Sequence, residues 1–433
     1  MKYSTHIATA LIFSSALAFA ADWPQLFGAD QTGISKEKLK TNWPSEGFKP
    51  LWTVPMTGWG SISVGGDRAF MLTNREVNGE QREVCIALDA ATGKELWMYD
   101  IEKPNYNYKH KESDLNGGAA SGPMSTPAVS DGRVYVYSRE SKLCCIDAES
   151  GKELWRVDAA KAHGAGAFPR MPRYGNSASP VVDGDLVFIA GGGPGESLLA
   201  FNKATGEVAW KTEDMEHSYA TPCAATIHGV RQIVHFLKND LVGVAVKDGK
   251  VLWRTTVPFN YSGNCAIPTV FGDKVYAGAS TSRHGALYEI VKTPDREEGE
   301  DEYYAEQIYK NKFGEAPGMS NVVLHDGHFY GQYSGRLKCI EFATGKLQWE
   351  QKLATGKDDK YDWSCSVILV DGKLLVLLDN GTLVLVDPKP DAYKELARFQ
   401  ALEGKCWSTP AYSNGRLFLR GNKEGVAYDL SAK

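Results

Sequence analysis

One recurring phrase limits this chain to few architectures: an apolar strand, an acidic or amide residue, a glycine turn, then a strand ending in tryptophan. It runs from Ala87 to Trp97 through Asp89 and Gly93, and returns from Cys145 to Trp155 through Asp147 and Gly151. Further copies run from Ala200 to Trp210 and from Cys339 to Trp349, and a shortened one from Lys247 to Trp253. The chemistry is that of a hairpin. Asp or Asn opens the turn through side-chain hydrogen bonds to the backbone, and glycine takes the positive-φ position without steric cost. The tryptophan brings a large ring to bury between packed sheets.

A second phrase alternates with the first: an apolar strand, a tight turn, and another apolar strand. Its turns are Asp131-Gly132, Asp183-Gly184, Asp326-Gly327, Asp371-Gly372 and Asn414-Gly415, with looser copies at Gly66-Asp67, His228-Gly229 and Gly272-Asp273. Two hairpins per period make four antiparallel strands, the signature of a propeller blade. The closing strands centre on Trp52, Trp97, Trp155, Trp210, Trp253, Ile308, Trp349 and Phe399, which gives eight blades and matches the eight second-phrase turns. The C-terminus stops at Val426-Ala427-Tyr428-Asp429-Leu430, before a glycine turn and tryptophan strand, and Lys49-Pro50-Leu51-Trp52 supplies that missing piece. The expected fold is an all-β, eight-bladed β-propeller with four antiparallel strands per blade. The N-terminal strand joins the C-terminal blade, which closes the ring and removes free edges between first and last blades.

Lys2, the apolar run from Ile7 to Leu17 and the small-x-small site Ala18-Phe19-Ala20 read as a secretory signal peptide over residues 1–20, leaving a single domain over 21–433. The apolar run is shorter than the roughly 20 residues that span a bilayer. The first cysteine is Cys85, so no lipid-anchor cysteine stands at the cleavage point. The expectation is a periplasmic or secreted chain with no membrane span and no lipid anchor, a monomer. The net charge is −5, and residues 1–20 hold Lys2 and no acid, so removing them leaves −6. That argues against nucleic acid and anionic membranes as partners, since both need a basic surface. The eight cysteines show no zinc spacing and no haem-attachment motif.

These phrases resemble the tryptophan-docking repeats of the pyrroloquinoline-quinone (PQQ) dehydrogenases, and those of the propeller component of the outer-membrane barrel-assembly machinery. Asp22-Trp23-Pro24-Gln25 and Cys406-Trp407-Ser408-Thr409-Pro410 carry the same resemblance, which covers nearly all of residues 22–430. It implies a fold more than an activity, because repeat residues hold blades together and perform no chemistry.

Residues just before each innermost strand are expected to ring one channel mouth: Trp59, Met124, Ser177, Tyr219, Cys265, Met319, Ser364 and Trp407, with Trp363 adjoining. Long loops reach the same face and carry Arg170, Arg173, Tyr174, Asn176, His217, Asn264 and Asp362. One reading is a ligand pocket, with Trp and Tyr stacking on a small ligand and Arg holding an acid. The other is that the aromatics plug the channel and pack the blades. The adjacent Cys144 and Cys145 invite comparison with the ring-forming disulfide of some quinone enzymes, but strand neighbours point to opposite faces, which suits two separate thiols. Gly191-Gly192-Gly193-Pro194-Gly195 does not open a helix, so it lacks a phosphate cradle's geometry. Asp295 to Glu302 reads as a solvated hairpin tip.

Two functions remain open. The first is a non-catalytic binding scaffold of the cell envelope that takes a protein, peptide or carbohydrate partner and needs no cofactor. The second, implied by the resemblance, is an alcohol or sugar dehydrogenase using PQQ with calcium; Asp362, Trp363 and Asn264 are the nearest candidates for its site.

Overall fold

The structure is a computed structural model that describes residues 22–105, 122–166, 175–212, 214, 216–257, 264–279, 284–295, 297, 302–311, 321–333, 336–353 and 365–432. Eight separate sheets follow one another in sequence, as the repeat requires. Blades 1 to 7 span residues 63–102, 128–158, 181–212, 223–256, 269–311, 323–352 and 365–400. Blade 8 takes its three inner strands from residues 411–429 and its outer strand, Trp52–Pro55, from the N-terminus. Trp52 pairs with Ala427 and Pro55 with Glu424, both antiparallel. The ring is therefore stitched from both ends of the chain, as the interrupted repeat predicts.

The outer strand explains how blades hold one another. Opposite each docking tryptophan stands a small residue of the third strand: Ala87 faces Trp97, Cys145 faces Trp155, Ala200 faces Trp210, Cys339 faces Trp349 and Ala427 faces Trp52. A register shift falls just before most of these tryptophans, leaving Leu96 and Leu154 as extra residues that face solvent. Such a bulge sharpens the local twist and re-aims the next side chain. The ring then lies flat on the turn glycine of the following blade. A β-carbon at Gly93 would sit 2.5 Å from the Trp52 ring, at Gly151 2.7 Å from Trp97, at Gly206 2.7 Å from Trp155 and at Gly249 2.7 Å from Trp210. Each indole N–H also donates to a carbonyl of that next blade: Trp52 to Ala90, Trp97 to Ala148, Trp155 to Lys203 and Trp210 to Val246, at 2.9–3.1 Å.

Departures in the sequence become departures in packing. Trp253 is fully buried and donates to Gln232 Oε1 of its own blade at 2.7 Å. There the outer strand Tyr303–Asn311 of blade 5 lies against strand Val251–Thr256. Phe399 stands in for tryptophan in blade 7, and its glycine is Gly47, just ahead of the closing strand. The N-terminus thus supplies both the missing turn and the missing strand.

Residues 22–40 do something the repeat does not announce. They run along the inner edges of the innermost strands. Trp23 bridges Val64 of blade 1, and Pro24 O accepts the Val129 N–H of blade 2. Gln25 Oε1 accepts the Val182 N–H of blade 3, while Gln31 accepts from Ala224 and donates to Pro222 O beside blade 4. Strand Ile34–Ser35 then adds in parallel to strand Cys365–Val370 of blade 7, and Leu39 bridges Ser431 beyond blade 8. Trp23 and Phe27 are buried in this segment. The channel is occupied by chain near the two-residue turns that link first and second strands.

Deleting residues 21–55 removes closing strand, turn glycine and channel segment together. Calorimetry should show a melt at least about 10 °C lower, or no cooperative melt. A finer test compares two glycines of nearly equal φ. Gly151 (+71°) lies under Trp97, whereas Gly132 (+72°) has nothing within 4 Å of a β-carbon. Gly132→Ala should cost about 1 kcal/mol of backbone strain, and Gly151→Ala about 1–3 kcal/mol more, read by urea unfolding.

Candidate functional site

At the other mouth the blades are joined by a belt of side-chain acceptors. The Thr409 N–H of blade 8 donates to Ser61 Oγ, Ser61 N–H to Thr126 Oγ1, Thr126 N–H to Ser179 Oγ and Ser179 N–H to Thr221 Oγ1, all at 2.8–2.9 Å. Asn321 Oδ1 accepts the Ile267 N–H in the same sense, at 2.9 Å. Each donor reaches forward to the next blade. These residues precede by three the positions that touch the N-terminal segment (Ser61 and Val64, Thr126 and Val129, Ser179 and Val182). Belt and segment are therefore about 10 Å apart along the strands. The predicted mouth residues lie two further back.

Of the predicted mouth residues, Trp59 and Trp407 come together. Their rings stack at 4.3 Å between centroids with 27° between planes. Trp59 is buried and Trp407 partly so. The loop holding Trp59 is pinned by Trp59 N–H to Pro123 O at 2.7 Å and by Arg420, whose Nη2 donates to Thr57 O at 2.7 Å and Nη1 to Gly60 O at 2.9 Å. Arg420 is only 1% exposed. A charge closing the apolar strand Arg416–Arg420 was the signal that sequence reading passed over.

Tyr219 is buried at blade 4 and His217 half-buried beside it. His217 bonds to the backbone of Gly166, and its ring edge lies against Gly191. Burial lowers its pKa, with the Glu216 charge opposing. Near it is His235, which the sequence did not single out: fully buried, with neither ring nitrogen partnered among the described residues. Burial, then the charge of His217, lowers its pKa to about 3. Asn264 is fully buried and donates to Leu237 O and Lys238 O of blade 4 at 3.1 and 3.2 Å. Two junctions earlier, Asn176 donates to Ser138 O of blade 2 and to Ala178 O beside it in sequence. Arg170, Arg173, Tyr174, Met319, Asp362, Trp363 and Ser364 lie outside the described residues. The loop after blade 2 holds a short helix, Ala159–His163, which the repeat gave no hint of; Asp158 caps it and Gly164 ends it with φ +61°.

The sequence profile described as outer membrane protein assembly factor BamB matches residues 80–349, more than half of the chain. The chain belongs to the BamB family of PQQ-like repeat propellers. BamB of Escherichia coli K12 is 24% identical over 318 residues, covering 71% of this chain and 74% of that protein. The crystal structure of BamB from Moraxella catarrhalis superposes with a TM-score of 0.58 at 14% identity, over 88% of this chain and 99% of that one. The quinohemoprotein alcohol dehydrogenase ADH-IIG of Pseudomonas putida is 27% identical over 231 residues, which is 48% of this chain and 30% of the enzyme.

The repeats this BamB-family chain shares with such dehydrogenases raise the question of a calcium–quinone centre. The described residues do not fit one. Asn264 is committed through its amide to two carbonyls of the neighbouring blade, and no three His, Cys, Asp or Glu side chains converge among the described residues. Cys144 and Cys145 are free thiols on opposite faces, the first packed with Phe70 and Cys85, the second with Val187 and Phe201. Burial pushes them up to about 12 and about 11, so both are protonated and unreactive at neutral pH.

Two buried groups give the ring a pH dependence. His235 is held neutral, with its folded pKa below the unfolded 6.5, so its contribution is complete above 6.5 and lost as pH falls towards 3. Glu83 is fully buried and accepts the Arg139 N–H; burial and the Glu102 charge raise it to about 8, so its contribution is complete below 4.5 and lost as pH rises through 8. Between pH 6.5 and 4.5 the two act in opposite senses, so each is read against wild type: as pH falls from 6.5 to 4, His235→Phe should gain up to about 1.4 kcal/mol per pH unit relative to wild type by urea unfolding. Glu83→Gln should flatten the alkaline side.

Proposed function

We propose that this chain is a non-catalytic scaffold of the cell envelope that holds a protein or peptide partner at its loop-bearing mouth. The observation that carries the reading is the asymmetry of the ring: residues 22–40 occupy the channel near the turn side, and the opposite mouth carries the Trp59–Trp407 stack. Loops on a rigid scaffold are where propellers take partners. Membership of the BamB family supports the same reading. The Escherichia coli relative named for outer membrane protein assembly aligns over most of both chains, whereas the dehydrogenase aligns over less than a third of its own length. The envelope location rests on that likeness and on the signal-peptide pattern of residues 1–20. Carbohydrate is the other partner class the aromatic mouth accommodates.

The test is native mass spectrometry and absorbance of the protein isolated from its own host. A co-purifying envelope protein or peptide, on a colourless chain, is expected. Trp407→Ala should reduce that capture at least about fivefold, and Leu347→Ser, on the exposed blade rim, should leave it unchanged. Tightly bound quinone, or saturable quenching of tryptophan fluorescence by added PQQ and calcium at tens of micromolar, would replace this reading with the dehydrogenase.

A further inference from the structure

A guanidinium has five N–H donors and no acceptor. Arg420 finds two acceptors, Thr57 O and Gly60 O, and its Nε is buried with none. Among the described residues no acid pairs with it, and burial pulls its proton affinity down to about 9. A buried cation without a carboxylate is a strongly disfavoured arrangement unless something pairs with it. The residues bonded to Arg420 flank Trp59, whose indole Nε1 is buried and has no acceptor. Trp407, stacked on it, has the same orphaned Nε1. The docking tryptophans Trp52, Trp97, Trp155 and Trp210 all spend this N–H on a carbonyl of the next blade, so the two mouth indoles are exceptions to the molecule's own rule.

One blade junction therefore gathers a positive charge and three buried N–H donors, Arg420 Nε and the two indole Nε1 atoms, without acceptors among the described residues. A neutral ligand would leave the charge unmatched. A phosphate or sulfate dianion brings more charge and more oxygens than one guanidinium and two indole donors satisfy. A carboxylate brings one negative charge and two oxygens, and the guanidinium edge bearing Nε–H is the side that takes carboxylates in a fork.

We propose that the junction of blades 8 and 1 is a carboxylate-binding site, in which Arg420 supplies the charge and Trp59 and Trp407 supply indole N–H donors. Trp407 is the partly exposed member of the stack. The proposal rests on the mouth being the binding face and names the chemistry recognised there.

The test titrates full-length protein with acetate, succinate and benzoate at constant ionic strength set by chloride, following tryptophan emission and the thermal midpoint. Succinate or benzoate is expected to give a saturable change with half-saturation below about 10 mM. Sulfate and phosphate are expected to give none. Trp407→Phe keeps the ring and deletes the donor, and should weaken binding at least about threefold. Arg420→Lys keeps the charge and loses the fork, and should weaken it about tenfold; if this variant fails to fold, Trp407→Phe carries the test. Short peptides with free or amidated C-termini separate the sources: a preference for the free acid over acetate assigns the site to a peptide terminus, and equal binding assigns it to a small acid. No saturable response in folded wild type, an equal response to sulfate, or an unchanged response in both variants overturns the site. Partner capture retained without any carboxylate response would sink this inference alone and leave the scaffold reading standing.

Discussion

Everything in this ring depends on one flat contact, a tryptophan ring laid on a glycine of the next blade. A single four-stranded sheet buries one face poorly and leaves the other to solvent, so no blade is stable by itself. The contact converts a row of marginal sheets into a closed structure. It rests on a glycine, because any β-carbon would enter the ring, on a small residue opposite the tryptophan and, at most of these positions, on a bulge that turns the side chain across the gap. Their recurrence at four successive junctions, from blade 8 round to blade 4, explains why the sequence repeats so visibly.

The same logic orders the channel in layers. Nearest the two-residue turns lies the N-terminal segment, held by backbone bonds and by Gln25 and Gln31. Next comes the hydroxyl belt, in which an N–H of blades 8, 1, 2 and 3 reaches forward to the neighbouring blade. Outermost are the mouth residues, where the indoles of Trp59 and Trp407 and the Nε of Arg420 have no acceptor among the described residues. Function is expected where satisfaction ends, because a rigid scaffold can hold unmet donors in place for a partner.

Blade number, strand count and closure were legible in the sequence because hairpin chemistry is local. Asp, Gly and Trp at fixed offsets fix a turn wherever they occur, and Trp52 without a blade of its own pointed to the C-terminus. The opposite facing of Cys144 and Cys145 followed from strand geometry alone. What lay hidden depends on contacts distant in sequence. Gln25 meets Val182 and Gln31 meets Ala224, pairings that no local pattern encodes. Arg420 looks like an ordinary strand end until Thr57 and Gly60 are brought over it. His235 reads as one polar residue in a strand, and only the packing of blades around it removes its partners. At the mouth, the sequence named Trp59 and Trp407 but not the arginine beside them.

Hydrogen exchange read by mass spectrometry tests the closed ring most directly. If strand Trp52–Pro55 is a true member of blade 8, its amides and those of Glu424–Asp429 should exchange together, as slowly as the innermost strands and only through global opening. Rapid exchange of Trp52–Pro55 while Glu424–Asp429 stays protected would contradict the closure, and with it the account of how this ring holds together.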